Sequence, residues 1–194
     1  MNLPGVYQIF LDKWEGLQTC WIISDTHFGD EDLRRGMPNR PSDEDIVKSI
    51  NSKVGKRDLL LILGDCGDIE YIKQLKGYKV LIAGNHDAGM SNYKDIFQET
   101  YSGPILIAEK LILSHEPVDV PWVFNIHGHT HHLRSDYDKR HFCVCADAIN
   151  FTPINFNQFM KQGHLSRIET IHRETIDRAT KRARKRGGKK IGEK

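Results

Sequence analysis

The chain has 194 residues, of which 39% are hydrophobic and 28% are charged, and its formal net charge is +2. This length is typical of a single domain, and the apolar content suffices for one core. The longest apolar runs are far shorter than the roughly 20 residues that a membrane-spanning helix needs, so no membrane span is predicted.

The charge is unevenly distributed along the chain. Residues 167–194 contain 11 Lys and Arg but four Asp and Glu, and the preceding residues are mildly acidic. Residues 1–16 have charged side chains within their apolar stretch and no basic leader, so they do not resemble a signal peptide. The four cysteines are too sparse for a disulfide framework. We therefore expect a cytoplasmic protein with a basic C-terminal tail.

The first half of the chain predicts strands that alternate with helices. Residues 17–24 form an apolar run that is typical of a core strand. Residues 42–54 have apolar side chains at helical spacing, and Ser42 is a suitable N-cap. The next elements are a strand, a short helix and a strand, at 58–63, 69–76 and 79–83. Because these strands are apolar on both faces, the pattern indicates a largely parallel sheet covered by helices.

The second half is richer in strands. Two strands at 104–108 and 110–114 are separated by Glu109 and Lys110, which suit a hairpin turn. The later elements are strands at 123–127 and 142–146, a short helix at 156–161 and a charged helix at 165–186. We expect one domain over residues 1–166 and a basic helix or tail over residues 167–194.

Polar side chains follow five of these strands, at the point where each strand ends. Any one such segment is an ordinary turn or helix cap. Strand C-terminal ends converge on one edge of an α/β sheet, however, so the five together predict one site. Carboxylates, imidazoles and an amide oxygen suit metals such as Mn²⁺, Fe or Zn²⁺. The segments are Asp25-Thr26-His27, Gly64-Asp65, Gly84-Asn85-His86-Asp87, Ser114-His115 and Gly128-His129-Thr130-His131.

The cysteines do not add to this ligand series. Cys143 and Cys145 lie two apart, but no second cysteine pair exists to complete a thiolate site. We interpret them as buried small side chains.

In this order, the five segments resemble the calcineurin-like metallophosphoesterase superfamily, and in particular its small single-domain bacterial and phage members. The resemblance covers residues 21–154. It includes the opening segments at 24–29 and 39–41 and the closing segment at 147–153. The resemblance implies an α/β sandwich of two central mixed β-sheets flanked by helices, with the active site at the strand C-terminal ends.

The resemblance also implies a role for each polar residue. Asp25, His27 and His131 would bind a first metal ion, and Asp65 would bridge to a second. Asn85, His115 and His129 would complete the second site. His86 would donate a proton to the substrate, with Asp87 orienting it. Two divalent ions are expected, with Mn²⁺ favoured and Fe, Zn²⁺, Ni²⁺ or Mg²⁺ as alternatives.

Two cations about 3.5–4 Å apart suit in-line phosphoryl displacement by a hydroxide held between them. The expected activity is therefore hydrolysis of phosphate esters. Phosphodiesters are favoured over monoesters because the short chain lacks an obvious cap domain that would enclose a small monoester. Cyclic nucleotides, nucleotides and nucleic-acid ends all remain open as substrates.

Other residues have two possible roles. Arg40 either contacts the substrate or structures the loop after the first strand. Arg34 and His132 either line the pocket or belong to the solvated surface. The basic tail either attracts nucleic acid through its phosphates or only solubilises the chain. The alternatives to a small-molecule diesterase are therefore a nuclease that uses the tail and a non-catalytic scaffold of the same fold.

Overall fold

The computed structural model describes residues 5–87, 93, 95–131, 135, 136, 138–168 and 178–181. It contains two β-sheets. The first has five strands in the order β4, β3, β2, β1, β9, and all its neighbours are parallel except β1 and β9. These strands are β1 (Cys20–Ile23), β2 (Leu59–Ile62), β3 (Tyr78–Ile82), β4 (Glu99–Tyr101) and β9 (Ile154–Asn155).

The second sheet has four strands in the order β5, β6, β7, β8. The hairpin of β5 and β6 is antiparallel, as the turn at Glu109 and Lys110 predicts, and the other pairs are parallel. Both sheets are therefore mixed, as expected. The strands are β5 (Ile105–Ala108), β6 (Leu111–Leu113), β7 (Phe124–His127) and β8 (His141–Cys143).

Within the described residues, five helices flank the sheets. The longest begins after Ser42, whose side chain accepts a hydrogen bond from the Asp45 amide, so the predicted N-cap is confirmed. The helices are α1 (Gln8–Lys13), α2 (Glu31–Gly36), α3 (Asp43–Lys53), α4 (Ile69–Ile72) and α5 (Phe156–Lys161). In the part of the chain that the structure describes, no helix is long and apolar enough to cross a bilayer.

Two hydrophobic cores explain why the central strands are apolar on both faces. Leu59 and Leu61 of β2 lie in the core between the sheets, with residues of β6 and β7. Leu60 and Ile62 point to the other face, into the core beneath α3 and α4. Successive strand residues face opposite sides, so a buried central strand needs an uninterrupted apolar run.

The segment after β8 joins the two sheets. The Ser24 amide donates to the Val144 carbonyl over 2.9 Å, and the Ala146 amide donates to the Ser24 carbonyl over 2.9 Å. The end of the second sheet therefore lies beside the end of β1. This junction brings the loops of both sheets to one edge.

Some elements differ from the sequence expectation. The strand predicted at 142–146 is shorter, because its last residues leave the second sheet to pair with Ser24. Helix α2 has no buried residue and strand β4 is polar and half-buried, so neither has the apolar pattern that predicts an element. The helix predicted at 165–186 lies mostly outside the described residues. Within it, Leu165–Arg167 is a 3-10 turn and residues 178–181 are helical.

Candidate metal centre

The five polar segments meet where the ends of the two sheets adjoin. Backbone hydrogen bonds continue past the strands and align the loops. The Asp25 amide donates to the Gly64 carbonyl, the His27 amide to the Asp65 carbonyl, and the Gly128 amide to the His115 carbonyl, over 2.8–3.0 Å. Residues that are about a hundred positions apart in the sequence therefore face one another.

Four of the candidate ligands have left-handed backbone conformations, with φ of 55° at Asp25, 40° at His27, 51° at Asp65 and 66° at His129. Such angles cost about 1–3 kcal/mol each for residues with a side chain, and they cluster at functional sites. The loops are thus bent so that successive side chains turn inwards.

Glycine is required where these loops approach one another. A methyl group at Gly84 would overlap the Asp65 carboxylate, and one at Gly128 would overlap the Asp25 carboxylate. The glycines of the third and fifth segments therefore allow the ligands to be close-packed, in addition to forming turns.

The first cluster consists of Asp25, His27 and His131, whose potential ligand atoms all lie within 4.8 Å of one another. Asp25 Oδ1 is 3.4 Å from His131 Nε2 and 3.9 Å from His27 Nε2. Asp25 Oδ1 and His27 Nε2 are buried, and neither has a hydrogen-bond partner among the described residues. A cation bound between these two buried atoms would satisfy both of them.

The second cluster consists of Asp65, His115 and His129. His115 Nε2 lies 3.4 Å from Asp65 Oδ2 and 3.2 Å from His129 Nδ1. Asn85 adds its side-chain oxygen, which is 2.8 Å from His115 Nε2. Asn85, His115 and His129, which come from strand ends of both sheets, therefore lie together beside Asp65.

One carboxylate oxygen belongs to both clusters. Asp65 Oδ2 lies 3.6 Å from His27 Nε2 and 3.4 Å from His115 Nε2. Ligands at about 2.1 Å from one cation are themselves about 3.0–3.4 Å apart. The residues present therefore fit two cations that share Asp65.

In three of the imidazoles, the ring nitrogen Nδ1 contacts a carbonyl or carboxylate oxygen of a neighbouring residue. His115 Nδ1 donates to the Leu63 carbonyl over 2.9 Å. His27 Nδ1 lies 3.2 Å from Asp30 Oδ2, and His131 Nδ1 lies 3.3 Å from Asp147 Oδ1. These contacts leave each Nε2 facing the centre, which is how metal-binding imidazoles are usually oriented.

Asp30 and Asp147 were not predicted as site residues. Asp147 follows the strand expected at 142–146, so it obeys the same strand-end pattern as the other five segments. That pattern could have identified it.

The charges of the first cluster are strongly coupled. Burial opposes ionisation of Asp25, but the nearby His131 imidazole and the Ser24 hydroxyl lower its pKa to about 2. Asp147, followed by Asp25, raises the pKa of His131 to about 10. Without a cation, His131 therefore carries a proton between two carboxylates.

Cys145 contacts the first cluster through Asp25. Its thiol donates to Asp25 Oδ2 over 3.2 Å. A hydrogen bond with Cys143, followed by burial, raises the pKa of Cys145 well above its ordinary value, so the group stays a protonated donor. Both cysteines are buried, as expected.

A cleft of about 280 Å³ opens over the centre, and we call it the main cleft. His86 stands at its exposed edge, with its ring 5.5 Å from that of His27. The His86 amide donates to Asp65 Oδ1 over 2.9 Å. The main cleft is lined by His27, Asp30, Asp32, Leu33, Asp65, His86, His129 and His131.

The family model for calcineurin-like phosphoesterase matches residues 19–187. The chain belongs to this family. It is a phosphate-ester hydrolase, and the resemblance read from its motifs is confirmed. No curated protein matches the chain significantly.

One solved structure shows the same fold. The chain is similar to AQ665 of Aquifex aeolicus, a protein of unknown function, with 27% identity and a TM-score of 0.62, over 74% of this chain and 98% of that one. A weaker likeness is to the Pseudomonas putida nuclease MPE, with 22% identity, a TM-score of 0.43, and 58% and 61% of the two chains covered. Another is to YfcE, a phosphoesterase from E. coli, with 17% identity, a TM-score of 0.41, and 71% and 81% covered.

In this phosphoesterase, the Asp87 carboxylate contacts the backbone of two ligand loops. It was expected to orient His86. Its oxygens instead accept from the amides of Asp65 over 2.9 Å, Cys66 over 3.0 Å and Gly84 over 2.7 Å. The hydrogen bonds therefore clamp the loop that carries Asp65 to the loop that carries Asn85.

The arginines of the phosphoesterase do not line the described part of the main cleft. The Arg40 guanidinium is buried, donates to the Thr26 carbonyl and lies 5.1 Å from the centre of the Phe151 ring. Arg34 forms an ion pair of 2.9 Å with Asp43. Of the two roles considered for Arg40, these contacts favour the structural one. His132 lies outside the described residues.

Replacing Asp87 with Asn should lower the affinity for Mn²⁺ about 10–100-fold, because the amide removes the charge that three backbone N–H groups share. Calorimetric titration of the metal-free protein measures this. Asp45→Asn is the matched control, since Asp45 is exposed on α3 and pairs with Lys48. Equal affinities in the two variants would contradict the clamp.

The affinity for Mn²⁺ should rise with pH, because the cation must displace the proton that His131 holds below its pKa of about 10. One such proton gives up to about a tenfold gain per pH unit between about pH 6.5, the ordinary pKa of histidine, and about pH 10. Asp147→Asn removes the largest cause of the raised pKa of His131, so the affinity for Mn²⁺ should depend less steeply on pH. Titrations at several pH values measure both slopes, and an unchanged slope in Asp147→Asn would contradict the assignment.

Proposed function

We propose that the protein hydrolyses phosphodiesters with two divalent cations that share the Asp65 carboxylate. Asp25, His27 and His131 would hold the first cation. Asn85, His115 and His129 would hold the second. The observation that carries the proposal is the position of Asp65 Oδ2 within 3.6 Å of an imidazole from each cluster. When bound, the cations supply an activated water nucleophile and positive charge for the phosphoryl oxygens.

The protein's own groups would position the ester and move the proton. The His86 amide is fixed to Asp65 Oδ1, so the imidazole stands at a defined place beside the shared carboxylate. In the protonated form, His86 would give its proton to the leaving oxygen while the phosphorus–oxygen bond of that ester breaks. The carboxylates and tethered imidazoles hold the reacting groups in place and need not rearrange during the reaction.

Manganese is the metal that we propose. The ligand atoms are carboxylate oxygens, imidazole nitrogens and one amide oxygen, and these suit Mn²⁺ as well as Fe, Zn²⁺ or Ni²⁺. Mg²⁺ is a further alternative, although imidazole ligands favour the others. All four cysteines are free thiols, which supports the proposed location in the reducing cytoplasm.

The preference for diesters rests on the shape of the main cleft. It opens to solvent, and in the part of the chain that the structure describes no second domain covers it. An open cleft leaves room for a substituent on either side of the phosphate. A monoesterase would gain more from a cap that encloses the whole substrate.

His86→Asn should keep both cations but lower kcat about 100-fold or more on bis(p-nitrophenyl) phosphate, because a general acid contributes about 10²–10⁴-fold. Metal content and turnover are measured on the same preparation. His164→Asn is the control, since that ring stacks on Phe159 outside the centre. Unchanged turnover in a fully metallated His86→Asn would remove the proposed acid.

Nucleic acid is a second candidate substrate, and the basic tail favours it. Residues 178–190 contain eight Lys and Arg and no acidic residue. Among them only residues 178–181 are described, and these are exposed.

The domain boundary at residue 166 stays a prediction.

Deleting residues 178–194 should weaken binding to DNA or RNA and reduce its salt dependence, since each phosphate contact releases counterions. Turnover of bis(p-nitrophenyl) phosphate should stay the same. Filter binding at several salt concentrations measures the effect. Unchanged affinity and salt dependence would exclude the tail as a nucleic-acid contact.

A further inference from the structure

A second cleft of about 320 Å³ lies on the other side of the metal centre, and we call it the side cleft. It opens between two walls. Residues 83–85, after β3, and residues 102–104, between β4 and β5, form one wall, and residues 115–118, after β6, form the other. Asn85 and His115 line the side cleft, and the main cleft shares no lining residue with it. The candidate ligands thus line two neighbouring clefts, Asn85 and His115 the side cleft and His27, Asp65, His129 and His131 the main cleft.

The two clefts indicate how a substrate would lie at the centre. A phosphate held at the centre would have the main cleft on the side of His27 and His131 and the side cleft on the side of Asn85 and His115. A phosphodiester has two ester groups, and the centre offers a space for each. A monoester would leave one space unused.

The walls of the side cleft are held by hydrogen bonds. The Ala83 amide donates to the Tyr101 carbonyl over 2.8 Å, which fixes the first wall to β4. The Val118 amide donates to the side chain of Asn125, also over 2.8 Å, and Asn125 is buried in β7. A cleft with walls fixed in this way is preformed, which is typical of binding sites for small molecules.

The lining of the side cleft indicates the charge of its ligand. Alanine, glycine, proline and valine supply apolar surface, and Ser102 supplies a hydroxyl group. Glu116 is the one Asp, Glu, Lys or Arg residue in its described lining, and it is exposed. An acidic group would be repelled here, whereas hydroxyl groups could donate to the carboxylate.

We propose that the side cleft binds one ester group of a phosphodiester, and that this group is uncharged and carries hydroxyl groups, as a nucleoside does. The proposal rests on the proposed function, because it places the phosphate at the metal centre. Glu116 is the residue that discriminates against an added negative charge. A substrate bound in this way is a diester with one phosphate, so the proposal argues against the nucleic-acid candidate, which is a polyanion.

The test compares two esters that differ in one group: thymidine 5′-(p-nitrophenyl phosphate) and the same compound with a 3′-phosphate. The manganese-loaded wild type should have the higher kcat/KM for the ester without the 3′-phosphate. Glu116→Lys should shift this ratio towards the 3′-phosphorylated ester about tenfold, since it reverses the nearest charge. Glu109→Lys makes the same change at the β5–β6 turn, at the opposite end of β6, and should leave the ratio unchanged.

Hydrolysis of bis(p-nitrophenyl) phosphate distinguishes failure of the proposed function from failure of the side-cleft proposal. If the metal-loaded wild type does not hydrolyse it, the proposed function fails. If it does, but Glu116→Lys and Glu109→Lys behave alike, or the wild type prefers the 3′-phosphorylated ester, the side-cleft proposal fails alone. Thermal unfolding checks that both variants fold. Should Glu116→Lys not fold, Glu116→Gln serves, with an expected shift of about threefold in the same direction.

Discussion

The Asp65 carboxylate lies beside both clusters of candidate ligands. One oxygen faces an imidazole from each cluster, and the other accepts a hydrogen bond from the His86 amide. Its negative charge would offset the repulsion between two cations held close together. The position of His86 at the edge of the main cleft depends on the same side chain. The main cleft therefore takes its geometry from Asp65.

The rest of the fold keeps this carboxylate in place. Asp65 follows a central strand that is buried on both faces, and its backbone adopts a φ of 51°. Asp87 accepts a hydrogen bond from the Asp65 amide and joins that loop to the next. Gly84 leaves room for the carboxylate. The strain of the loops is balanced by the two hydrophobic cores beneath them, which hold the strand ends rigidly.

The sequence predicted the parts of this arrangement that depend on residue type and order. Apolar runs identified the central strands, and polar residues at their ends identified the candidate ligands that the fold brings together. It could not predict where side chains with several possible partners would point. Asp87 contacts backbone amides instead of His86, and Arg40 packs on Phe151. Polar elements such as β4 were missed because pairing with β3, and not an apolar pattern, creates them.

The central claim is that Asp65 joins two cations in one centre. Electron paramagnetic resonance of the protein loaded with saturating Mn²⁺ tests it most directly, because two ions that share a carboxylate are magnetically coupled. The account predicts the spectrum of a coupled Mn²⁺ pair in the wild type and its loss in Asp65→Ala. A spectrum of isolated Mn²⁺ ions alone in the saturated wild type would contradict it.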